Sequence, residues 1–228
     1  MRTLSTALGI AAAALAAWAA APVAAQELTA DQIVAKANLM AYYQGEDGRA
    51  RVKMTITDDQ GRVRVREFVI LRKDVADGGD QKFYVYFHSP SDVRRMSYLV
   101  LKHTDKDDDR WLYLPALDLV KRVAASDKRT SFVGAHFFYE DVSGRNLNDD
   151  AHTLLDSQGD LYVVKNEPKD PDSVEFSWYK VYIDKKTFVP LKAIYYDKTP
   201  EQRKYREVEA LKIEIIQGFP TVTQSQVR

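Results

Sequence analysis

The chain has 228 residues, with 33 Lys and Arg balanced by 33 Asp and Glu, and it has no cysteine. Zero net charge argues against a dedicated nucleic-acid binder, which needs a basic excess to displace counterions. The missing thiol removes disulfides, thiolate metal sites, cysteine nucleophiles and lipid attachment through cysteine.

Residues 1–25 read as a secretory leader. Arg2 supplies the positive start, Leu4 opens an apolar run that reaches Ala21, and Pro22 breaks it. Cleavage is expected after Ala25, so that the mature chain starts at Gln26. A retained anchor is the competing reading, because the run approaches spanning length. The weak hydrophobicity of alanine favours cleavage, an exported chain and no stable membrane insertion. A short leader without a disulfide framework points to the bacterial periplasm.

Thr29 and Gln32 form a capping-box pattern. Ile33, Val34, Ala37 and Met40 then share one helical face, and Gly45 stops the helix. The period changes to two from Val52. Val52, Met54 and Ile56 alternate with Arg51, Lys53 and Thr55; 58–61 is a turn; Val63 and Val65 alternate with Arg62, Arg64 and Arg66. This predicts a hairpin with one apolar and one basic face. Phe68 and Ile70 carry the opposite phase, which predicts a bulge near Arg66 and Glu67.

Further strands are expected at 81–87, 97–102, 110–114, 117–123, 161–167, 177–184, 190–196, 207–216 and 221–227. Pro190 belongs at a strand start or edge. Residues 90–96 predict a turn of helix, and 131–142 a short helix or an aromatic loop. With no repeat or linker after residue 25, residues 26–228 read as one domain. Consecutive strands with one apolar face each need a shared surface, as in a large antiparallel sheet wrapped on a helix.

Tests for catalytic chemistry return little. His88, His103, His136 and His152 form no compact ligand pair. Asp105, Asp107, Asp108 and Asp109 resemble a calcium loop, but Arg110 replaces the turn glycine and Ala116 the final glutamate. There is no Gly-x-Ser-x-Gly elbow and no glycine-rich phosphate loop. Glu140 and Asp141 are a carboxylate pair of a kind any acidic chain offers. No enzyme activity, metal or cofactor is therefore expected. Phe132, Phe137, Phe138 and Tyr139 beside Gly134 suit either plain core or a movable cover over an apolar cavity. Lys121, Arg122, Lys128 and Arg129 suit either a solvated turn or an anionic partner.

The run Asp109 to Leu117 (DRWLYLPAL), then Val120-Lys121-Arg122, Ser131-Phe132-Val133-Gly134 and Tyr139-Glu140-Asp141-Val142, resembles the outer-membrane lipoprotein-sorting protein family of LolA-like periplasmic carriers. The resemblance spans most of residues 27–228. It implies a mainly β fold: a strongly curved antiparallel sheet forming an unclosed β-barrel, with an N-terminal helix and short lid helices on the concave side. It further implies a cavity for the acyl chains of a lipid or lipoprotein, no catalytic residues, and a link to inner-membrane exporters of the RND/MMPL type. Strand alternation places Met54, Ile56, Val65, Phe83, Val85, Trp111, Phe132, Phe137, Phe138 and Tyr139 in the expected cavity and lid. Family members usually run further, so the chain reads as short at its C-terminal strand. A periplasmic sensor or scaffold that binds a protein partner is the alternative function.

Overall fold

The computed structural model describes residues 27–155 and 157–228; the expected leader lies outside them. Helix α1 spans Ala30–Tyr42 and starts with the anticipated capping box. The Thr29 hydroxyl accepts from Gln32 N at 3.2 Å, and the Gln32 side chain accepts from Thr29 N at 3.0 Å. A cap of this kind contributes about 1 kcal/mol.

Two six-stranded antiparallel sheets follow, each a meander in strict chain order. The first holds β1 (Asp47–Thr57), β2 (Val63–Asp74), β3 (Gln81–Ser89), β4 (Ser97–Lys102), β5 (Asp109–Leu114) and β6 (Leu119–Val123). The second holds β7 (Asp150–Leu154), β8 (Leu161–Pro168), β9 (Phe176–Asp184), β10 (Pro190–Asp197), β11 (Lys204–Ile216) and β12 (Phe219–Val227). The fold is thus mostly β with unclosed sheets, as expected. The hydrogen-bonded ladder breaks between β6 and β7, so one continuous sheet is replaced by two. A strap, residues 124–149, joins them.

Local details differ from the sequence reading. The strap carries single 3-10 turns at Ala125–Asp127, Glu140–Val142 and Leu147–Asp149 in place of lid helices. Residues 90–96 form turns without a helix. Strand β7 was not foreseen: Asp150-Ala-His-Thr-Leu is short and polar, and it pairs only with β8.

The β1–β2 register is unbroken from Asp47↔Lys73 to Thr57↔Val63. No bulge therefore resets the phase of β2. Side chains alternate across a strand and directly paired residues share a face, so Arg64, Arg66, Phe68 and Ile70 all face inward and Val63 and Val65 outward. The irregularity near residue 67 lies in the β2–β3 ladder. There Glu67 pairs with Ser89 and Phe68 with Phe87, leaving His88 as the extra residue.

The inner face of the first sheet buries Phe68, Phe83, Val85, Phe87, Tyr98, Val100 and Leu112 against Phe132 and Ala135 of the strap. Helix α1 ties the two sheets together. Its Ile33 and Ala37 pack on Val164 and Ile183 of the second sheet. The Tyr42 carbonyl at its end accepts hydrogen bonds from Arg72 and Gln81 of the first.

Candidate functional site

The strap positions the aromatic cluster that the sequence singled out. Phe132 N donates to Phe137 O at 2.7 Å, which closes a tight loop. The loop passes through Val133 and Gly134, with φ of 48° and 84°. A β-branched residue rarely adopts positive φ, so Val133 holds local strain of about 1–3 kcal/mol. This turn aims the Phe132 ring into the first sheet. Its centroid lies 5.8 Å from Phe87, 5.9 Å from Tyr98 and 5.4 Å from Tyr139. Edge and tilted contacts of this kind each add about 0.5–1.5 kcal/mol beyond area burial.

The ten residues expected in the cavity and lid divide into three groups. Met54, Phe83, Val85 and Phe132 are buried in the first core, and Ile56, Phe137 and Tyr139 pack against it. Phe138 turns away and lies under two guanidinium groups, Arg129 at 4.9 Å and Arg206 at 4.4 Å from its centroid. Trp111 and Val65 are on the wrong face for this site. Trp111 pairs with Leu99, and Leu99 with Tyr84, on the outer side of the sheet; Val65 pairs with Thr55 there. Alternation gives the phase within a strand, but the register with its neighbours decides which face is shared.

A buried ionic network fastens the strap, and sequence reasoning did not foresee it. Glu140, 2 % exposed, accepts from Arg129 Nη1 at 2.6 Å, with Lys128 Nζ at 3.5 Å and Arg145 Nη1 at 3.7 Å. Arg129 also donates twice to Glu175, both at 2.8 Å. Arg145 donates to Asp150 at 2.8 and 2.9 Å, and Tyr179 Oη donates to Asp150 at 2.7 Å. These contacts bind the strap to the second sheet. Lys102 of the first sheet donates to Ser143 O, and Tyr98 Oη to Tyr139 O at 3.2 Å.

Burial alone would raise the Glu140 carboxyl; the Arg129, Arg145 and Lys128 cations outweigh it and hold the group below the usual glutamate range. For Asp141 burial wins over Arg206, and its carboxyl is pushed up. Burial lowers the Lys102 ammonium. Lys128 and Arg129 are thus internal partners of strap carboxylates, whereas Lys121 and Arg122 are exposed on the edge strand β6.

Each carboxylate of the Glu140–Asp141 pair is held by an arginine, Glu140 by Arg129 and Asp141 by Arg206. A polar cleft of about 270 Å³ beside the strap is lined by Asp107, Asp108, Arg110, Lys128, Glu140 and Asp149, among others. His103 sits between Asp80 (3.0 Å) and Asp109 (3.3 Å). Among the described residues no three His, Asp or Glu side chains converge as a metal site. The end of the β11–β12 hairpin also went unread. Ile213 pairs with Val222 and Ile215 with Pro220, and the two isoleucines are 40 % and 69 % exposed. Gln44, just beyond α1, donates to Pro220 O at 2.7 Å and holds this apolar tip near the helix end.

A protein-family model described as "uncharacterized protein" matches residues 79–228. The crystal structure of a DUF1329 family protein from Desulfovibrio piger is 30 % identical with a TM-score of 0.73, covering 80 % of this chain and 78 % of that one. The chain belongs to the DUF1329 family. Its fold is that of the LolA-like sorting proteins. A domain described as an outer membrane lipoprotein-sorting protein, from Vibrio parahaemolyticus, superposes with a TM-score of 0.76 at 24 % identity over 86 % of this chain and 83 % of its own. A LolA superfamily protein from Nitrosomonas europaea gives 0.66 at 19 % identity over 88 % and 86 %. No curated protein matches. The fold implied by the DRWLYLPAL and strap motifs is thus found over 86–88 % of the chain. Among its described residues no helix is long and apolar enough to cross a membrane.

Proposed function

We propose that this DUF1329 protein is a periplasmic carrier that takes acyl chains of lipids or lipoproteins into its first sheet and passes them toward the outer membrane. One observation carries the reading. The inner face of an unclosed sheet is filled by aromatic rings from a strap that belongs to neither sheet. An acyl chain in water is disfavoured by roughly 0.8 kcal/mol per CH₂ relative to burial. Phe132, Phe137 and Tyr139 occupy the apolar volume such a chain would need. Their backbone is strained at Val133 and held by ion pairs rather than by a ladder, so displacement exchanges one apolar filling for another. The exposed Ile213 and Ile215 tip offers apolar surface on the way in. An inner-membrane exporter of the RND type is the proposed donor, and non-enzymatic binding the proposed activity.

Native mass spectrometry after gentle purification, with uptake of a fluorescent fatty acid, tests the reading. Co-purified lipid or saturable uptake that Phe132→Asp diminishes is expected. No lipid and no uptake would sink it.

A further inference from the structure

The outer face of the first sheet has its own pattern, which the carrier reading does not use. Register places Leu71, Tyr84, Leu99 and Trp111 in one row across four strands, and Val69, Tyr86, Ser97, Tyr113 and Val120 in the next. Leu71 is 41 % exposed, Tyr84 37 % and Val120 62 %, while Val69 beneath its neighbours is 7 % exposed. A contiguous patch of this composition on a soluble face marks an interaction surface.

Cations border it on two sides. Arg49, Arg51 and Lys53 of β1 line one side, paired with Leu71, Val69 and Glu67. Arg122 of β6 closes the opposite side, beside Trp111. Lys73 and Lys82 pair with each other at one end; the other end carries Glu67 and Asp118, the latter accepting from Tyr113 Oη at 3.0 Å. Among the described residues Arg49, Arg51, Lys53, Lys73 and Lys82 have no carboxylate within 4.0 Å; Arg122 is paired with Asp109 at 2.5 Å. Five cations without a carboxylate partner, Arg49, Arg51, Lys53, Lys73 and Lys82, thus border one aromatic face.

We infer that this face docks the protein on the anionic surface of a phospholipid bilayer. Tyrosine and tryptophan suit the boundary between headgroups and acyl chains. Long basic side chains keep their charge at the phosphates while their stems cover apolar surface. A row of free cations along β1, continued by Lys73 and Lys82, complements an extended anionic plane. This inference does not depend on the carrier reading, since cargo would occupy the opposite face.

The test is sedimentation of the chain from Gln26 onward, which contains every described element, with phosphatidylcholine vesicles with or without phosphatidylglycerol. Binding at least tenfold stronger to the phosphatidylglycerol vesicles is expected, weakening as salt rises. The double variant Arg51→Glu with Lys82→Glu should lose about tenfold of that binding and keep its melting temperature and any fatty-acid uptake. In a Trp178→Phe background, Trp111 emission should shift to the blue on docking. Equal binding to both vesicle types, or no salt dependence, overturns the proposal even if the double variant fails to fold. Unchanged binding by a folded double variant overturns it too, as does retention by an acidic protein with no vesicle binding. Failure of fatty-acid uptake alone bears only on the carrier reading.

Discussion

Arg206 of β11 donates to the Asp141 carboxylate of the strap across 2.6 Å, and its guanidinium lies over the neighbouring Phe138 ring. Asp141 accepts from Phe138 N at 2.7 Å through the same oxygen. One arginine of the second sheet thus holds both the charge and the backbone of the segment that fills the first. Arg206 is 4 % exposed, and its removal leaves the half-buried Asp141 carboxylate with less compensation. Arg206→Leu should cost about 2–3 kcal/mol in urea unfolding, less than the loss of a fully buried pair because Asp141 keeps some solvent. If the strap is the gate for cargo, the same variant should take up fluorescent fatty acid faster at a temperature where it remains folded. Unchanged stability would show that the pair does not fasten the strap.

The aromatic plug can be weighed by truncation. Phe132 is 3 % exposed and touches Phe68, Phe87, Tyr98 and Tyr139. Phe132→Ala should cost about 3–5 kcal/mol, the usual range for a large buried ring. Added long-chain fatty acid should restore part of that loss by filling the cavity, because a ligand that binds only the folded state stabilises it. A melting temperature unmoved by fatty acid in this variant would count against acyl binding at this site.

Two adjacent carboxylates should give pH profiles of opposite sign. Glu140 has its pKa held below the unfolded glutamate value, so its stabilisation is complete above about pH 5 and is lost as pH falls through the folded value. Asp141 has its pKa raised, so the folded state takes up its proton first and gains stability as pH falls. Glu140→Gln should flatten the acid limb of stability between about pH 5 and 3, whereas Asp141→Asn should steepen it. Glu207 adds to the normal limb. The Lys204 ammonium, then Arg228 and Lys192, hold its carboxyl at about 2 despite its own burial. Denaturation at a series of pH values measures all three.

Gly144 admits no side chain. Its φ is +77°, and a Cβ would stand 2.6 Å from the Tyr42 ring. Both the handedness and the space oppose substitution. Gly144→Ala should destabilise by about 1–3 kcal/mol, through displacement of Tyr42 and of the α1 end that meets the first sheet. A thermal melt suffices to check it.

The strands were legible because period-two patterning is local; β3 and Pro190 at the start of β10 fall where alternation puts them. What escaped depends on partners remote in the chain. Arg64 and Arg66 look like solvent-facing residues, yet they point inward. Arg66 is met by Asp92 at 2.8 Å, and Arg64 lies against Gly134 of the strap. Arg129 finds Glu175 and Arg206 finds Asp141 across 46 and 65 residues. No spacing rule reaches so far. The same limit misplaced Trp111: its own strand says that it alternates with Arg110 and Leu112, and only its pairing with Leu99 says on which side.

The strict meander order has a consequence for how the chain acquires its shape. Each strand finds its partner immediately before or after it, so both sheets grow by short-range closure as the polypeptide emerges. Helix α1 is the exception. Its body docks on β7 and β8, more than a hundred residues later. The segment synthesised earliest among these elements therefore waits for the second half, with Ile33 and Ala37 unburied until then. The N-terminal helix therefore completes its packing only after β8 and β9 have been made.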